Sequence, residues 1–428
     1  MSIQVSKTIP QLKQIAGQLG VTYSATGKNG RLMKEDLILP IREANLIKRY
    51  GGLEHTPDSM RYMLSIKSPM LAKRIDSLRE EQQAEIWDNE DWIFEEKLDG
   101  VRCIVIKDNT GFHIFSRHSS EVDFLPIEFT SKILMPDDFN IAAVTDNFVI
   151  DCEITSDLSN ISTVVGRYGV ETETELSAVT AILQADPFKA HLIQNREQLR
   201  FTFNCFDVLM YNGTDMKGLP LSERRDALST IMSQLRASHM KVREVRSVRG
   251  SRADKESFYN SLVRNGGEGC VCKRASGLYV ADSSRTINGW VKIKRSLSSS
   301  LNEETQYGDT IDGWISGFVP GNPGTAFEDY VGSIIVSAYV EMNNGTVQER
   351  EIAIISGITL AMRKDMTHIV NGQVELNPKY YNAVVEIDGQ DISSKNMRFT
   401  HALLLRMRPD KNKDSCTITE KFLESQIF

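Results

Sequence analysis

Residues 92–106 read Trp92-Ile93-Phe94-Glu95-Glu96-Lys97-Leu98-Asp99-Gly100-Val101-Arg102-Cys103-Ile104-Val105-Ile106. Two runs of aromatic, β-branched and apolar residues flank Asp99-Gly100, so the stretch predicts a strand, a turn and a second strand. Between the runs lies a Lys-x-Asp-Gly-x-Arg pattern, with Lys97 ending the first strand and facing the turn. Arg102 is expected close enough to depress the Lys97 pKa and let its amine act as a nucleophile near neutral pH. Four fixed positions of this kind arise by chance in about half a percent of chains this long. A hairpin turn with a surface ion pair is therefore the rival account until other residues agree.

The same texture runs outward from this hairpin. From about residue 66, short β-rich runs recur at 112–115, 148–150, 201–206 and 290–294, bounded by Gly, Asn and Asp. Helical patterns over 221–236 and 255–263 separate them without a strict βαβ rhythm, which predicts an α+β domain built on antiparallel sheets. Residues 296–304 are polar and serine-rich and read as a linker. Beyond them, runs at 313–319, 332–340, 346–355, 383–387 and 402–408 predict a small β-barrel. Upstream, Ile9, Leu12, Ile15, Ala16 and Leu19 repeat at helical spacing, and a second helix would hold Leu32, Leu37 and Ile41. The predicted division is a small helix-loop-helix module at 1–45, a linker at 46–65, an α+β domain at 66–297 and a barrel at 298–428.

The bulk numbers agree with this division. A chain of 428 residues exceeds what one core usually holds. With 41% hydrophobic and 25% charged residues it is not of disordered, collagen-like or coiled-coil type. No apolar run approaches the roughly 18 residues of a membrane span, and residues 1–10 lack a secretory pattern. An intracellular location without membrane attachment is expected, the host cytoplasm if the source is viral. The cysteines, Cys103, Cys152, Cys205, Cys270, Cys272 and Cys416, include no CxxC pair, which speaks against structural zinc and a disulfide framework. A net charge of −7 excludes a uniformly basic coat for nucleic acid, but residues 1–50 hold eight Lys and Arg against three Asp and Glu. Lys13, Lys28, Arg31 and Lys34 make that segment a candidate nucleic-acid-binding arm, with a solvated basic linker as the bland alternative.

The lysine pattern does not stand alone. Pro69-Met70-Leu71-Ala72 precedes it. Phe115-Ser116-Arg117, Asp151-Cys152-Glu153, Phe206-Asp207-Val208-Leu209-Met210-Tyr211-Asn212-Gly213, Glu268-Gly269-Cys270-Val271-Cys272-Lys273 and Trp290-Val291-Lys292-Ile293-Lys294 follow in order. This ordered set resembles the covalent nucleotidyltransferases, and specifically the ATP-dependent DNA ligases, over residues 66–411. The resemblance implies an antiparallel-sheet nucleotidyltransferase (adenylation) domain followed by an OB-fold β-barrel. Asp309-Thr310-Ile311-Asp312-Gly313-Trp314 and Val331-Gly332-Ser333-Ile334-Ile335 look like the opening strands of the ligase barrel. Arg398-Phe399 and Arg406-Met407-Arg408-Pro409-Asp410-Lys411 are similar to the family's final motif, with a spacing more phage-like than the commoner cellular one.

The resemblance also implies roles. Lys97 would attack the α-phosphate of ATP and carry AMP as a phosphoramidate. Glu95 would meet the adenine edge, and Phe206 would stack on the base. Glu153 and Glu268 would supply oxygen ligands to Mg²⁺ or a ribose contact. Lys292 and Lys294, alternating on one strand face, would aim positive charge at the transferring phosphoryl group. Arg102 and Arg117 would fork the 5′-phosphate of a nick. Asp99 is either a turn former or a contributor to the final attack. Arg406, Arg408 and Lys411 would orient the pyrophosphate leaving group. Singly, Phe206 reads equally as core, Glu268 as part of a glycine turn, and Lys292 and Lys294 as a solvated strand face.

The expected activity is nick sealing in duplex DNA by a monomer. The alternatives are an RNA ligase, a GTP-using capping-type enzyme and a non-catalytic nucleic-acid scaffold. The N-terminal segment is similar to SAP modules in layout, which implies phosphate contacts. In wording, Thr26-Gly27-Lys28-Asn29-Gly30-Arg31 followed by Lys34-Glu35-Asp36 is closer to peripheral-subunit-binding domains, which implies a protein partner. Residues 156–198, unassigned, are a candidate for loops that reach round the duplex. The chain end at 422–428 is read as apolar residues packed on the barrel, with a tail for a sliding clamp or other replication protein as the alternative.

Overall fold

The computed structural model describes residues 7, 9–26, 30, 32–66, 69–75, 78–120, 122–156, 165, 175–265, 267–281, 289–294, 311–325, 327–389, 391–393, 396–400 and 402–425. Two compact units emerge, residues 1–262 with 267–293, and residues 263–266 with 294–428.

The first unit opens with α1 (Ile9–Gln18) and α2 (Lys34–Tyr50). They meet through Leu12, Ala16, Leu37, Ile38 and Ile41, the apolar positions at helical spacing. Asp36 ties down the segment between the helices. It accepts from the Thr26 hydroxyl at 2.5 Å and from the backbone N–H groups of Thr26 and Met33 at 3.1 and 2.7 Å. The candidate arm is docked. Phe124 completes its core at 0% exposure, while Arg42 Nε donates to the Phe124 carbonyl at 2.8 Å and Asn45 Nδ2 to that of Asp123 at 3.1 Å.

Residues 46–65, expected as a linker, form the end of α2, a 3-10 turn at Leu53–His55 and most of α3 (Asp58–Ile66). The reason is an apolar face that composition alone hides: Met60, Met63 and Ile66 are buried against the sheets that follow.

Helix α4 (Glu80–Asp88) and twelve strands come next: β1 (Ala72–Arg74), β2 (Trp92–Glu96), β3 (Val101–Asp108), β4 (Gly111–Ser119), β5 (Pro126–Glu128), β6 (Phe148–Thr155), β7 (Thr202–Tyr211), β8 (Thr214–Asp215), β9 (Val242–Glu244), β10 (Ser247–Val248), β11 (Gly269–Arg274) and β12 (Trp290–Lys294). One sheet runs β1-β12-β11-β2-β10, the other β5-β4-β3-β6-β7-β8 with β9 also on β7. The β1·β12 and β7·β9 pairs are parallel. The β2·β11, β3·β4, β3·β6 and β6·β7 pairs that frame the site are antiparallel.

Strand alternation divides the core into layers. Ile104, Ile106, Phe115, Val149 and Leu209 face the other sheet, where they meet Met70, Tyr279 and Trp290. Cys103, Val105, Ile114, Ile150, Cys152 and Cys205 face the opposite way, toward helices Glu175–Gln184, Pro187–Arg196 and Leu221–Ala237. The first two of these helices occupy much of the segment suggested for loops around a duplex. Ala178, Val179, Ile182, Ala190 and Ile193 are buried there, so this part is support for the sheet. All six cysteines are buried and free.

The second unit is strand-rich: β13 (Ile311–Pro320), β14 (Val331–Glu341), β15 (Val347–Ile355), β16 (Thr367–Val370), β17 (Gln373–Leu376), β18 (Val384–Asp388), β19 (Asp391–Ile392), β20 (Phe399–Thr400), β21 (Leu403–Met407) and β22 (Thr417–Thr419). Eight of them share one sheet, all but the β16·β17 hairpin. Ile315, Ile334, Val336, Ile352, Val385, Ile387 and Phe399 converge on one core, as in a sheet wrapped round its own interior. Phe422 and Leu423 join that core, so the start of the terminal segment is packing. Residues 426–428 and the serine-rich stretch 296–304 lie outside the described residues.

Candidate active site

The register of β2 against β11 places the lysine. Glu96 pairs with Cys270, and one residue on, the Lys97 N–H donates to the Gly269 carbonyl at 2.8 Å. Lys97 therefore leaves the sheet beside Glu268, and its ammonium donates to the Glu268 carboxylate. Both are partly buried, with 22% and 12% of the side chain exposed, so the amine is reachable but screened from bulk water.

Two glycines of the motifs are needed for this geometry. A Cβ on Gly100 would lie 2.4 Å from the Ile154 carbonyl oxygen and 2.9 Å from Glu153 Cγ, so only glycine lets the turn press against β6. Gly269 has φ 121°, a conformation costly for any residue with a side chain.

Strand β6 carries Asp151 and Glu153 on one face, two residues apart. Glu153 lies opposite Arg102 of β3. Burial pushes the Glu153 carboxyl up to about 7 despite the favourable charges of Lys97, Arg102 and Arg117. Those relations bring Lys97, Arg102, Arg117, Glu153 and Glu268 into one electrostatic neighbourhood. Asp99 is exposed on the turn. Arg117 is exposed at the end of β4, its Nε 2.9 Å from the His118 ring.

Arg102 departs from its expected roles. Asp151 takes it in a two-pronged pair at 2.9 and 2.6 Å, and its third nitrogen donates to the Met70 carbonyl at 2.7 Å. Tyr279 donates to the same carboxylate at 2.7 Å. The side chains of Arg102 and Asp151 are 11% and 0% exposed. A guanidinium already forked by a buried carboxylate is not available to fork a phosphate, and its charge is compensated before it reaches Lys97. Arg102 is a brace that holds β3 and β6 to the Pro69-Met70 segment.

Glu95 is held from two sides. It is 2% exposed, with one carboxylate oxygen on Arg225 and the other 2.7 Å from Lys273 Nζ. Above this group sits Phe206. The registers Asp151 to Asp207 and Cys152 to Cys205 leave Phe206 as the extra residue of a β-bulge, a device that re-aims a side chain. Its ring packs edge-on against Trp290 with centroids 5.8 Å apart, and Lys273 Nζ lies 4.4 Å from the Phe206 centroid and 4.1 Å from that of Trp290. Lys292 and Lys294 share the face of β12 that carries Trp290, whereas Val291 and Ile293 enter the core on the other side.

In the second unit the final-motif cations are already paired. Arg408 contacts Asp312 at 3.3 Å, Glu386 at 3.5 Å and Asp410 at 2.9 Å; Lys411 pairs with Asp312 and Arg406 with Glu386. In the N-terminal module Lys13 is exposed on α1 and Lys34 is half-buried at the start of α2, while Lys28 and Arg31 lie outside the described residues.

Asp151, Lys273, Arg225, Tyr279 and Trp290 had no assigned role in the sequence. Asp151, Lys273 and Trp290 lie within quoted motifs, and alternation on β6 was the available signal for Asp151. Arg225 lies on helix Leu221–Ala237, 130 residues from its partner Glu95 and without a local cue.

Similarities to known proteins follow the same residues. The family model described as the ATP dependent DNA ligase domain matches residues 69–294. A probable DNA ligase of Dictyoglomus turgidum is 24% identical over 314 residues, 70% of this chain and 48% of that protein. The DNA ligase of vaccinia virus strain Ankara is 29% identical over 215 residues, 49% of this chain and 32% of that protein. This chain thus spans half or less of the length of these relatives. A solved structure named Pmar-Lig_Pre shares the fold with a TM-score of 0.51 at 12% identity, covering 96% of this chain and 86% of that one. With more than half its length matched by the family model and the lysine motif at the end of β2, the chain belongs to the ATP-dependent DNA ligase family, an adenylation domain followed by an OB-fold domain.

Proposed function

We propose that this chain seals nicks in duplex DNA, using ATP, through an AMP adduct on Lys97. The observation that carries the reading is the Lys97 ammonium at the end of β2, bonded to Glu268 and electrostatically coupled to Glu153, inside the family-matched segment. Attack requires the amine to lose its proton, and the Glu268 carboxylate bonded to it is the acceptor at hand. The freed lone pair forms the N–P bond to the α-phosphorus as the bond to the pyrophosphate oxygen breaks. AMP then passes to the 5′-phosphate of the nick, and the 3′-hydroxyl displaces it. Arg117, exposed at the end of β4, suits the 5′-phosphate, a role from which Arg102 is withdrawn by Asp151. Lys292 and Lys294 suit the transferring phosphoryl group.

The donor set fits Mg²⁺. Glu153 is a carboxyl whose charged form burial disfavours, and with Glu268 it would supply hard oxygens. Among the described residues no group of three or more His, Cys, Asp or Glu forms a closed cage, as suits an ion shared with substrate phosphates. Bound there, Mg²⁺ would supply charge neutralisation at those phosphates. Among the described residues no helix is long and apolar enough to cross a membrane.

Intact-protein mass spectrometry after incubation with Mg²⁺ and ATP, GTP or NAD tests the reading on wild type and Lys97→Ala. Expected is an AMP adduct from ATP alone, lost in the variant. A GMP adduct would move the assignment to capping chemistry, and no adduct on protein first stripped of AMP would leave a nucleic-acid scaffold.

A further inference from the structure

Beneath Phe206 lies a group of buried charges that the reaction as described does not use. Glu95 is held from both sides, one oxygen by Arg225 and the other by Lys273 at 2.7 Å. Lys273 is 1% exposed; burial lowers its pKa, while Glu95 and Asp207 support its charge. Asp207 is itself held by Arg224 at 2.6 and 3.0 Å, so neighbouring residues on helix Leu221–Ala237 grip the two carboxylates separately. The Arg225 side chain is 20% exposed, and its Nε is buried without a hydrogen-bond partner. A carboxylate gripped by two cations keeps one orientation, but each oxygen retains a lone pair for a further donor.

We infer that Arg225 is a positioning residue for nucleobase selection: together with Lys273 it fixes the Glu95 carboxylate as a charged acceptor at the edge of the ring that Phe206 stacks, selecting a purine with a 6-amino group. This rests on the reading that Phe206 and Lys97 bind ATP. A base with a 6-oxo group sets one acceptor oxygen against another with no hydrogen between them, a mismatch that buried polar sites reject strongly. The ion pair of Arg225 runs to Glu95, so its loss acts on which base is held.

The test compares wild type, Arg225→Ala and Arg225→Lys. ATP and inosine triphosphate, which carries oxygen in place of the amino group, are compared in Lys97 adduct formation and in equilibrium binding. Expected for Arg225→Ala are a KM for ATP raised tenfold or more, a kcat within about threefold, and a similar loss of the preference for ATP over inosine triphosphate. Arg225→Lys should recover most of that preference. Sealing of a nick whose 5′-phosphate already carries AMP skips the Lys97 adduct and, at saturating nick, should proceed in Arg225→Ala with a kcat within about threefold of wild type. An unchanged KM and preference would overturn the inference. So would an equal loss in adduct formation and in sealing of the pre-adenylated nick, which marks a general folding defect. If wild type forms no adduct the ligase reading fails, and the two binding constants still decide the role of Arg225.

Discussion

At the scale of single residues, charge in this protein is paired before it is used. Arg102 and Asp151 compensate each other in a buried site, and removal of one partner alone would strand the other. His113 shows the same habit near the surface, between Asp108 at 3.3 Å and Glu128 at 3.4 Å. The bond to Glu128 raises the His113 pKa against the opposing effect of burial, with Asp108 adding to the rise. A raised histidine pKa means that the folded state binds the proton more tightly. Its stabilisation is thus fully present below the unfolded value of about 6.5 and lost as pH rises through the folded one. Thermal melts of His113→Asn should fall below wild type at pH 6 and approach it at pH 9. Partial exposure keeps the difference to about 1 kcal/mol or less. A deficit equal at both pH values would show that packing, not protonation, is what His113 contributes.

At the scale of elements, the β4–β5 connection decides what the N-terminal helices are. Phe124 adopts φ 59°, an uncommon backbone for a bulky residue, and is nevertheless wholly buried among Leu12, Leu37 and Ile41. Burying such a ring contributes on the order of 1.5–3 kcal/mol, enough to offset the backbone strain. Phe124→Ala removes the ring and leaves a cavity, a change that costs about 3–5 kcal/mol in well-packed cores. Limited proteolysis should then cut within residues 1–50 at least tenfold faster, while the Lys97 adduct still forms. Wild-type cleavage rates in the variant would mean that Arg42 and Asn45 carry the docking without the ring. The bulge at Phe206 is a second element-scale device: it shifts the alternation by one, so Cys205 and Val208 both face the helices while Phe206 lies on the other face.

At the scale of the whole molecule, a docked basic module changes how nucleic-acid binding is to be tested. Deleting residues 1–45 would cut α2 within its length and uncover Phe124, mixing lost charge with lost packing. Charge reversal at Lys13 and Lys34 separates the two. If the module contacts phosphates, Lys13→Glu with Lys34→Glu should weaken binding to a nicked duplex and flatten its salt dependence by roughly one unit of log–log slope per lost contact. Adduct formation on Lys97 should be unaffected. Equal affinity and slope across several salt concentrations would move the module toward a protein partner.

The sequence by itself determined the α+β class, the strand-rich second unit and the place of the candidate nucleophile at a strand end. Ordered motifs are local, and alternation along a strand states which side chains share a face: Lys97 at a strand end, Lys292 beside Lys294. The close approach that demands Gly100 was implicit in the motif but visible only against Ile154. The tertiary structure alone decided who pairs with whom. Arg102 is committed to Asp151 and Glu95 to Arg225 and Lys273. The final-motif cations are matched by Asp312, Glu386 and Asp410, and residues 46–65 are helical. Each is set by contacts between residues distant in sequence or by burial of a face. Desolvation makes an unpaired buried charge so costly that its partner is chosen by whatever the fold brings near.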